Sequence, residues 1–201
     1  MTIIGKRRIR SLAAGLALAV PIGLAAAATA RAAAAPPEMI VGIWPRAQRD
    51  AALALIDKYG RPAQFDTNAF AWFDNGIWKR TIVFRKGLHQ TKGRDKDFLQ
   101  QTVGYIVPDD KIAELKRFDS RLEVSQTAGE MTFTSDREAT NLLALNLADE
   151  IVTGKRSVSS ARAFFTRTSI LAASGKSSPY REKLRFGVDN SRFMTPTGAD
   201  R

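Results

Sequence analysis

Residues 135–165 constrain the fold most, because they predict a helix that is apolar around most of its circumference. Ser135 and, three residues later, Glu138 match the capping box that begins many helices. The apolar residues that follow are Leu142, Leu143, Leu145, Leu147, Ala148, Ile151 and Val152. Such a helix must be covered on several sides, so the rest of the chain has to supply a sheet or further helices. Gly154 ends the predicted helix, and Ser157 caps a second one.

An aromatic hairpin is predicted over residues 68–85. Asn75-Gly76 is a strong signal for its turn, because both central residues of a type I′ turn have positive φ. If these two residues form the loop, the strand face that we predict to point to the core carries Phe73, Trp78, Ile82 and Phe84. The opposite face, which helices either cover or leave exposed, carries Phe70, Trp72 and Lys79.

The remaining elements are predicted from hydrophobic periodicity and turn residues. Pro45 and Gly60 bound a helix, residues 98–107 alternate as a strand does, and Pro108 begins a short helix. A second hairpin is predicted over residues 122–133, with one packed and one solvated face. Short hairpins without strand–helix–strand repeats favour an α+β fold. We predict an antiparallel sheet of about five strands with helices packed mainly on one face.

Both ends of the chain are predicted to lie outside the folded domain. Residues 1–34 have a basic start, a short apolar core and small residues, which is typical of a secretory signal peptide; an uncleaved membrane anchor is the alternative. Residues 35–44 are predicted to be a linker and residues 45–174 a single α+β domain. Residues 175–201 contain few apolar side chains and many basic ones, which predicts a disordered tail.

The amino-acid composition restricts the compartments in which the protein could act and the partners that it could bind. The chain has no cysteine, which excludes disulfides, thiolate metal sites and thiol catalysis. An exported chain without disulfides fits the periplasm or secretion. Export also separates the chain from nucleic acid, so we predict no nucleic-acid partner. Five of the 31 Lys and Arg residues and none of the 20 acids lie in residues 1–34, so signal cleavage lowers the formal charge from +11 to +6. A cleaved chain is not transmembrane, and its basic charge allows weak contact with anionic surfaces.

Three stretches carry a resemblance to other proteins. They are the hairpin segment DNGIWKRTIVFRK and the later segments TAGEMTFTSDREATN and LLALNLADEIVTGKRSVSSAR. Together they resemble, over residues 58–165, a family of exported bacterial proteins of unknown function. The resemblance implies an exported domain and brings no activity with it. In that family a stretch with histidines and acids follows the aromatic hairpin, and here only His89 with Asp95 or Asp97 corresponds to it.

Few residues are candidates for catalysis. His89 is the one histidine in the chain, so a serine triad would have to use it, and it is a weak metal ligand by itself. The carboxylates that could serve a hydrolase are Asp109, Asp110, Glu130, Asp149 and Glu150. Asp109 and Asp110 are explained as acids at a helix N-terminus. Asp149 and Glu150 are explained as residues of an ordinary helix surface. We therefore assign no catalytic, cofactor-binding or metal-binding residue, and no cofactor.

Two groups of residues are candidates for binding a ligand or a partner. The aromatic hairpin face is one, because an exposed aromatic sheet face often binds something; it carries Phe70, Trp72 and Lys79. The other is a polar stripe on the apolar helix, formed by Glu138, Asn146 and Asp149. Buried polar groups are usually structural, so an exposed stripe or one bonded to a neighbouring loop is the alternative.

These observations predict a small exported domain in the periplasm or outside the cell. We expect a non-catalytic module that binds an envelope protein or a small ligand. A hydrolase that uses paired carboxylates is one alternative, and peripheral association with anionic envelope surfaces is another.

Overall fold

The computed structural model describes residues 35–88, 90–91 and 94–188. The predicted signal peptide (residues 1–34), His89 and the end of the predicted tail (residues 189–201) lie outside the described residues. Among the described helices, none is both long and apolar enough to cross a membrane.

The described part of the chain alternates between helices and short strands. Its α-helices are α1 (Pro37–Val41), α2 (Arg46–Tyr59), α3 (Asp109–Phe118), α4 (Glu138–Val152) and α5 (Val158–Ala173). A 3₁₀ turn follows at Pro179–Arg181. The strands are β1 (Gln64–Phe65), β2 (Ala69–Asn75), β3 (Trp78–Phe84), β4 (Gln90–Thr91), β5 (Arg94–Asp95), β6 (Leu99–Gly104), β7 (Leu122–Ser125) and β8 (Glu130–Ser135).

Six of these strands form one antiparallel sheet, in the order β1-β2-β3-β6-β8-β7. The strands β4 and β5 pair only with each other. The predicted α+β fold with an antiparallel sheet is therefore confirmed, and the sheet has one strand more than the rounded expectation. The additional strand is the two-residue β1, which is too short to give a periodic signal in the sequence.

One face of the sheet packs against helices. Phe70 pairs with Val83, and Val83 pairs with Leu99, so the three side chains share a face. Helices α1 and α2 and the segment between them cover this part of the face with Val41, Trp44, Ala52 and Leu55. Further along the same face, Met131 and Phe133 of β8 belong to a larger apolar cluster that α4 completes.

Helix α4 lies between the sheet and a second layer of helices. The residues from Asn141 to Asp149 are all buried, as the apolar circumference predicts. Beta-strands β6 and β8 contact one side of α4, and α3 and α5 contact the others. The predicted capping box is wrong, however, because α4 begins at Glu138 without a side-chain cap. The Ser135 hydroxyl instead donates to Asn141 Oδ1 over 2.6 Å.

The aromatic hairpin differs from its prediction in the turn and in the buried face. Asn75 pairs with Trp78, so the loop is Gly76 and Ile77 instead of Asn75-Gly76. Phe70 and Trp72 are buried under α1 and α2, whereas Phe73, assigned to the core face, is 43% exposed. The predicted core face is wrong for Phe73, because the sequence prediction does not include α1, whose apolar side chains cover the opposite face. Trp78 is buried in the main core cluster, as predicted.

The prediction of a linker over residues 35–44 is also wrong. This segment contains α1, and both Val41 and Trp44 are buried in the core cluster under α2. The Trp44 indole donates to the Thr67 carbonyl over 3.1 Å, and its ring lies 4.8 Å from the ring of Phe70. Pro36-Pro37 is typical of an extended linker, but the apolar residues that follow it have enough surface to dock on the sheet.

The predicted disordered tail is wrong for residues 176–188, which we call the strap. The strap packs on α4 and on the main core cluster through Tyr180, Leu184, Phe186 and Val188. Phe186 makes an edge-to-face contact with Tyr105, with ring centroids 5.1 Å apart. Low overall apolar content predicted disorder, but the few apolar side chains are spaced so that they reach the core together.

Candidate functional site

A groove runs between α2 and the first turns of α4, with a volume of about 750 Å³. We call it the apolar groove. Helix α2 lines it with Ala47, Ala51, Ala54 and Lys58, which lie on one helical face because they are spaced by four, three and four residues. Phe98, Leu99 and Leu142 form most of its remaining apolar wall. The alanines keep the wall of α2 low, so a space remains beside the buried face of that helix.

A network of hydrogen bonds ties α2 to α4 at the groove. Glu138 accepts a hydrogen bond from Lys58 Nζ over 2.6 Å, and from Tyr59 and Gln101 over 3.1 Å each. Partial burial opposes the charge of Lys58, but the hydrogen bonds with Glu138 and Tyr59 outweigh it and raise the pKa of the ammonium group. Glu138 thus has a structural role at the wall of the groove, whether or not a ligand is present.

A second cavity, of about 690 Å³, adjoins the apolar groove. We call it the polar cleft, because its additional lining includes Asp97, Ser120, Arg121, Thr140 and Ser169. The two cavities share four lining residues, which are Lys96, Asp136, Arg137 and Arg181. The shared residues come from the segment before β6, from the start of α4 and from the strap, so three distant parts of the chain meet there.

Several charged side chains of the polar cleft are already paired. Arg121 lies 3.2 Å from Asp97 and 2.8 Å from Asp119, and Arg137 lies 3.0 Å from Asp136. Among the side chains of residues 35–88 and 96–188, none forms an ion pair with Lys96 or Arg181. The cleft therefore keeps two cations that no acid of the described chain neutralises.

The candidate residues on the hairpin do not form an exposed surface. Phe70 and Trp72 lie in the core, where the Trp72 indole donates to the Gly60 carbonyl over 2.8 Å. Lys79 forms an ion pair with Glu130 over 2.8 Å. The structure shows that helices cover this face, which is one of the two alternatives that the sequence left open.

The polar stripe on α4 is divided among three different sets of partners. Glu138 lines the apolar groove, as described above. Asn146 donates to the carbonyls of Tyr180 and Lys183, over 3.0 and 2.9 Å, and accepts from the Arg185 backbone over 2.7 Å. Asp149 accepts a hydrogen bond from the Tyr105 hydroxyl over 2.8 Å. The latter two residues thus hold neighbouring structure, which is the bonded alternative stated for the stripe.

Four of the five candidate carboxylates are engaged with nearby side chains, namely Asp109, Glu130, Asp149 and Glu150. Glu130 lies between Lys79 and Arg80, at 2.8 and 3.3 Å. Partial burial opposes ionisation, but these two cations outweigh it and lower the pKa of the Glu130 carboxyl. A general acid needs the opposite shift. Glu150 binds Arg156 and Tyr180, and Asp109 accepts from Gln126.

Metal-binding side chains are not clustered in the part of the chain that the structure describes: no group of three or more could hold an ion there. No family model, curated protein or solved structure matches the chain. The resemblance of residues 58–165 to exported proteins therefore stays a prediction.

Sequence reasoning missed the groove, although a signal for it exists. Ala47, Ala51 and Ala54 flank the buried stripe of α2, and on a helical wheel they fall beside Leu55. A row of small side chains beside an apolar stripe leaves room for another group. The strap residue Arg181 gave no such signal, because the chain around it was interpreted as a disordered tail.

Proposed function

We propose that the protein is a non-catalytic binding module of the bacterial cell envelope, exported by residues 1–34 to the periplasm or the outside. The observation that carries this proposal is the apolar groove. Its volume of about 750 Å³ falls in the range of roughly 300–1,000 Å³ that is usual for small-ligand sites. A mostly apolar wall with a few polar groups at its edge is also usual for such sites.

The chemistry around the groove supports binding over catalysis. Glu138 accepts three hydrogen bonds, one of them from its ion-pair partner Lys58, so both its oxygens are occupied. Asp136 is paired with Arg137. A hydrolase would need two carboxylates with different pKa values facing one substrate.

Binding is tested with the neutral fluorescent dye N-phenyl-1-naphthylamine, whose emission rises in apolar surroundings. The protein purified after expression of the full chain is titrated with the dye. Ala54, an exposed residue of α2, lines the groove, so Ala54→Trp fills it and is expected to weaken dye binding at least tenfold. Leu53→Trp adds the same ring at a neighbouring position outside the lining, and should bind the dye as the wild type does.

The proposal is wrong if the wild type leaves the dye emission unchanged. It is also wrong if Ala54→Trp and Leu53→Trp weaken binding equally, since the dye would then not occupy the groove. Circular dichroism of both variants shows whether α2 is retained.

A further inference from the structure

We propose that the ligand is a lipid with one aliphatic chain and one anionic head group, such as a long-chain fatty acid. Its chain lies in the apolar groove and its head group in the polar cleft. This inference rests on the proposed function and adds to it the chemical class of the ligand. It is carried by the junction of the two cavities, where an apolar wall meets unneutralised positive charge.

The apolar groove fits an aliphatic chain. Ala47, Ala51 and Ala54 on one side face Phe98 and Leu99 on the other, all as lining residues of one cavity. Burial of apolar surface contributes about 25 cal/mol per Å², so a methylene chain along this wall gains free energy without any directional contact. Helices α2 and α4 satisfy most of their backbone groups internally, so neither offers the long row of free groups that an extended peptide would pair with.

The polar cleft fits the head group. Lys96 and Arg181 line both cavities and form no ion pair with a described acid, whereas Arg121 and Arg137, the other described cations of the cleft, are paired. Glu182 lines the apolar groove but not the cleft. The hydroxyls of Ser120, Thr140 and Ser169 add donors to the same wall. An anionic oxygen placed between a lysine and an arginine gains charge-assisted hydrogen bonds.

The junction sets the order of the two parts of the ligand. The cavities share Lys96 and Arg181, so a molecule that fills the groove reaches the cleft at these two residues. Arg181 belongs to the strap, and the strap is fixed to α4 by Asn146. A head group bound to Arg181 would therefore contact a part of the chain that the core already holds in place.

The test compares dodecanoate with methyl dodecanoate, which has the same chain and no charge. Both are titrated into the purified protein by calorimetry and by displacement of the dye. Dodecanoate is expected to bind more tightly than the ester. Lys96→Gln and Arg181→Gln are each expected to weaken dodecanoate binding roughly two- to fivefold, as for a partly exposed charge pair, and to weaken ester binding by a smaller factor.

Lys176→Gln is the matched control, because Lys176 is an exposed strap residue that lines neither cavity. It should bind dodecanoate as the wild type does. Added salt should weaken dodecanoate binding and leave the ester unaffected, because only the former depends on charge.

Other outcomes overturn the inference and can be told apart from a failure of the proposed function. If the dye binds in the groove but ester and acid bind equally, the ligand is apolar and the head-group assignment is wrong. If sedimentation shows a dimer that Ala54→Trp dissociates, a second copy of the chain occupies the groove. If dye, acid and ester all fail to bind, the proposed function fails with the inference.

Discussion

Asn146 is a polar residue in the middle of the most apolar helix, and its side chain holds the strap. The amide makes three hydrogen bonds to backbone groups of Tyr180, Lys183 and Arg185. Asn146 is only 1% exposed, so a substitution that removes the amide leaves these backbone groups without a partner. The residue acts as a connector between α4 and a segment more than 30 residues away in the chain.

Asn146→Ala is expected to reduce the free energy of unfolding by about 2–4 kcal/mol, since each buried hydrogen bond contributes about 0.5–1.5 kcal/mol. Denaturant melts measure the loss. Asn68→Ala, at an exposed position before β2, should change stability by about 0.5 kcal/mol or less. Equal melts for the two variants would show that the strap does not depend on Asn146.

Glu130 gives a prediction for pH. Its pKa is lowered in the folded state, so the carboxylate contributes stability above its unfolded pKa of about 4.3 and loses it as pH falls through the folded value. The wild type should exceed Glu130→Gln in unfolding free energy at pH 7, and the difference should shrink by pH 3. Glu123→Gln, at an exposed position of β7, is the control. A difference that grows on acidification would contradict the assignment of Glu130 as an ionised partner of Lys79 and Arg80.

The roles of these residues could be predicted from the sequence only in part. A buried asparagine on an apolar helix indicates a bonded partner, which is correct for Asn146, but the partner belongs to a segment without periodicity. Ser157 as a helix cap is confirmed, since it accepts from the Ser160 backbone N–H. Ser135 fits the same local pattern, yet its hydroxyl bonds to Asn141 instead. Local sequence cannot distinguish Ser157 from Ser135, because the contact with Asn141 decides what the Ser135 hydroxyl does.

At the scale of elements, α4 is the helix around which the sheet, α3, α5 and the strap pack. Leu147 is fully buried in the main cluster. Leu147→Ala is expected to reduce the free energy of unfolding by about 2–5 kcal/mol, out of about 5–15 kcal/mol for a small domain. Leu53→Ala, on the exposed side of α2, should have a much smaller effect in the same denaturant melts. A wild-type melt for Leu147→Ala would mean that α4 is not the centre of the core.

The strap gives a second prediction at this scale. A chain that ends at Ser174 loses the contacts of Tyr180, Leu184 and Phe186 with the main cluster, so its melting temperature should fall. A chain that ends at Val188 keeps every contact described for the strap and is the control. Differential scanning calorimetry compares the two truncations. Equal melting temperatures would show that the strap contributes little to folding stability.

Elements with strong local signals could be predicted, and those that depend on distant contacts could not. Helices α2 and α4 and both long hairpins follow from periodicity and turn residues. The buried face of the aromatic hairpin could not be chosen, since both faces carry aromatic residues and the choice depends on where α1 docks. The apolar groove was missed for the same reason, because it is formed by α2 and α4, which are far apart in sequence.

At the scale of the whole molecule, the predicted export determines the compartment in which the protein would act. The mature chain is expected to begin between Arg31 and Pro36, since small residues there follow a basic start and an apolar core. Mass spectrometry of the protein recovered from the periplasmic fraction of expressing cells measures its first residue. An intact Met1 on membrane-embedded protein would contradict the prediction and favour the anchor.

The strap lies at the carboxyl side of every element that it touches. Tyr180 and Phe186 are therefore among the last core residues to leave the ribosome and, if the chain is exported in an unfolded state, among the last to cross the membrane. Until they arrive, the strap cannot cover the Asn146 amide or the part of α4 on which it packs. Completion of the core is thus delayed until the strap has been synthesised. A premature stop shortly after α5 would leave a protein with nearly all its helices and strands. The part of α4 on which the strap packs would then stay uncovered.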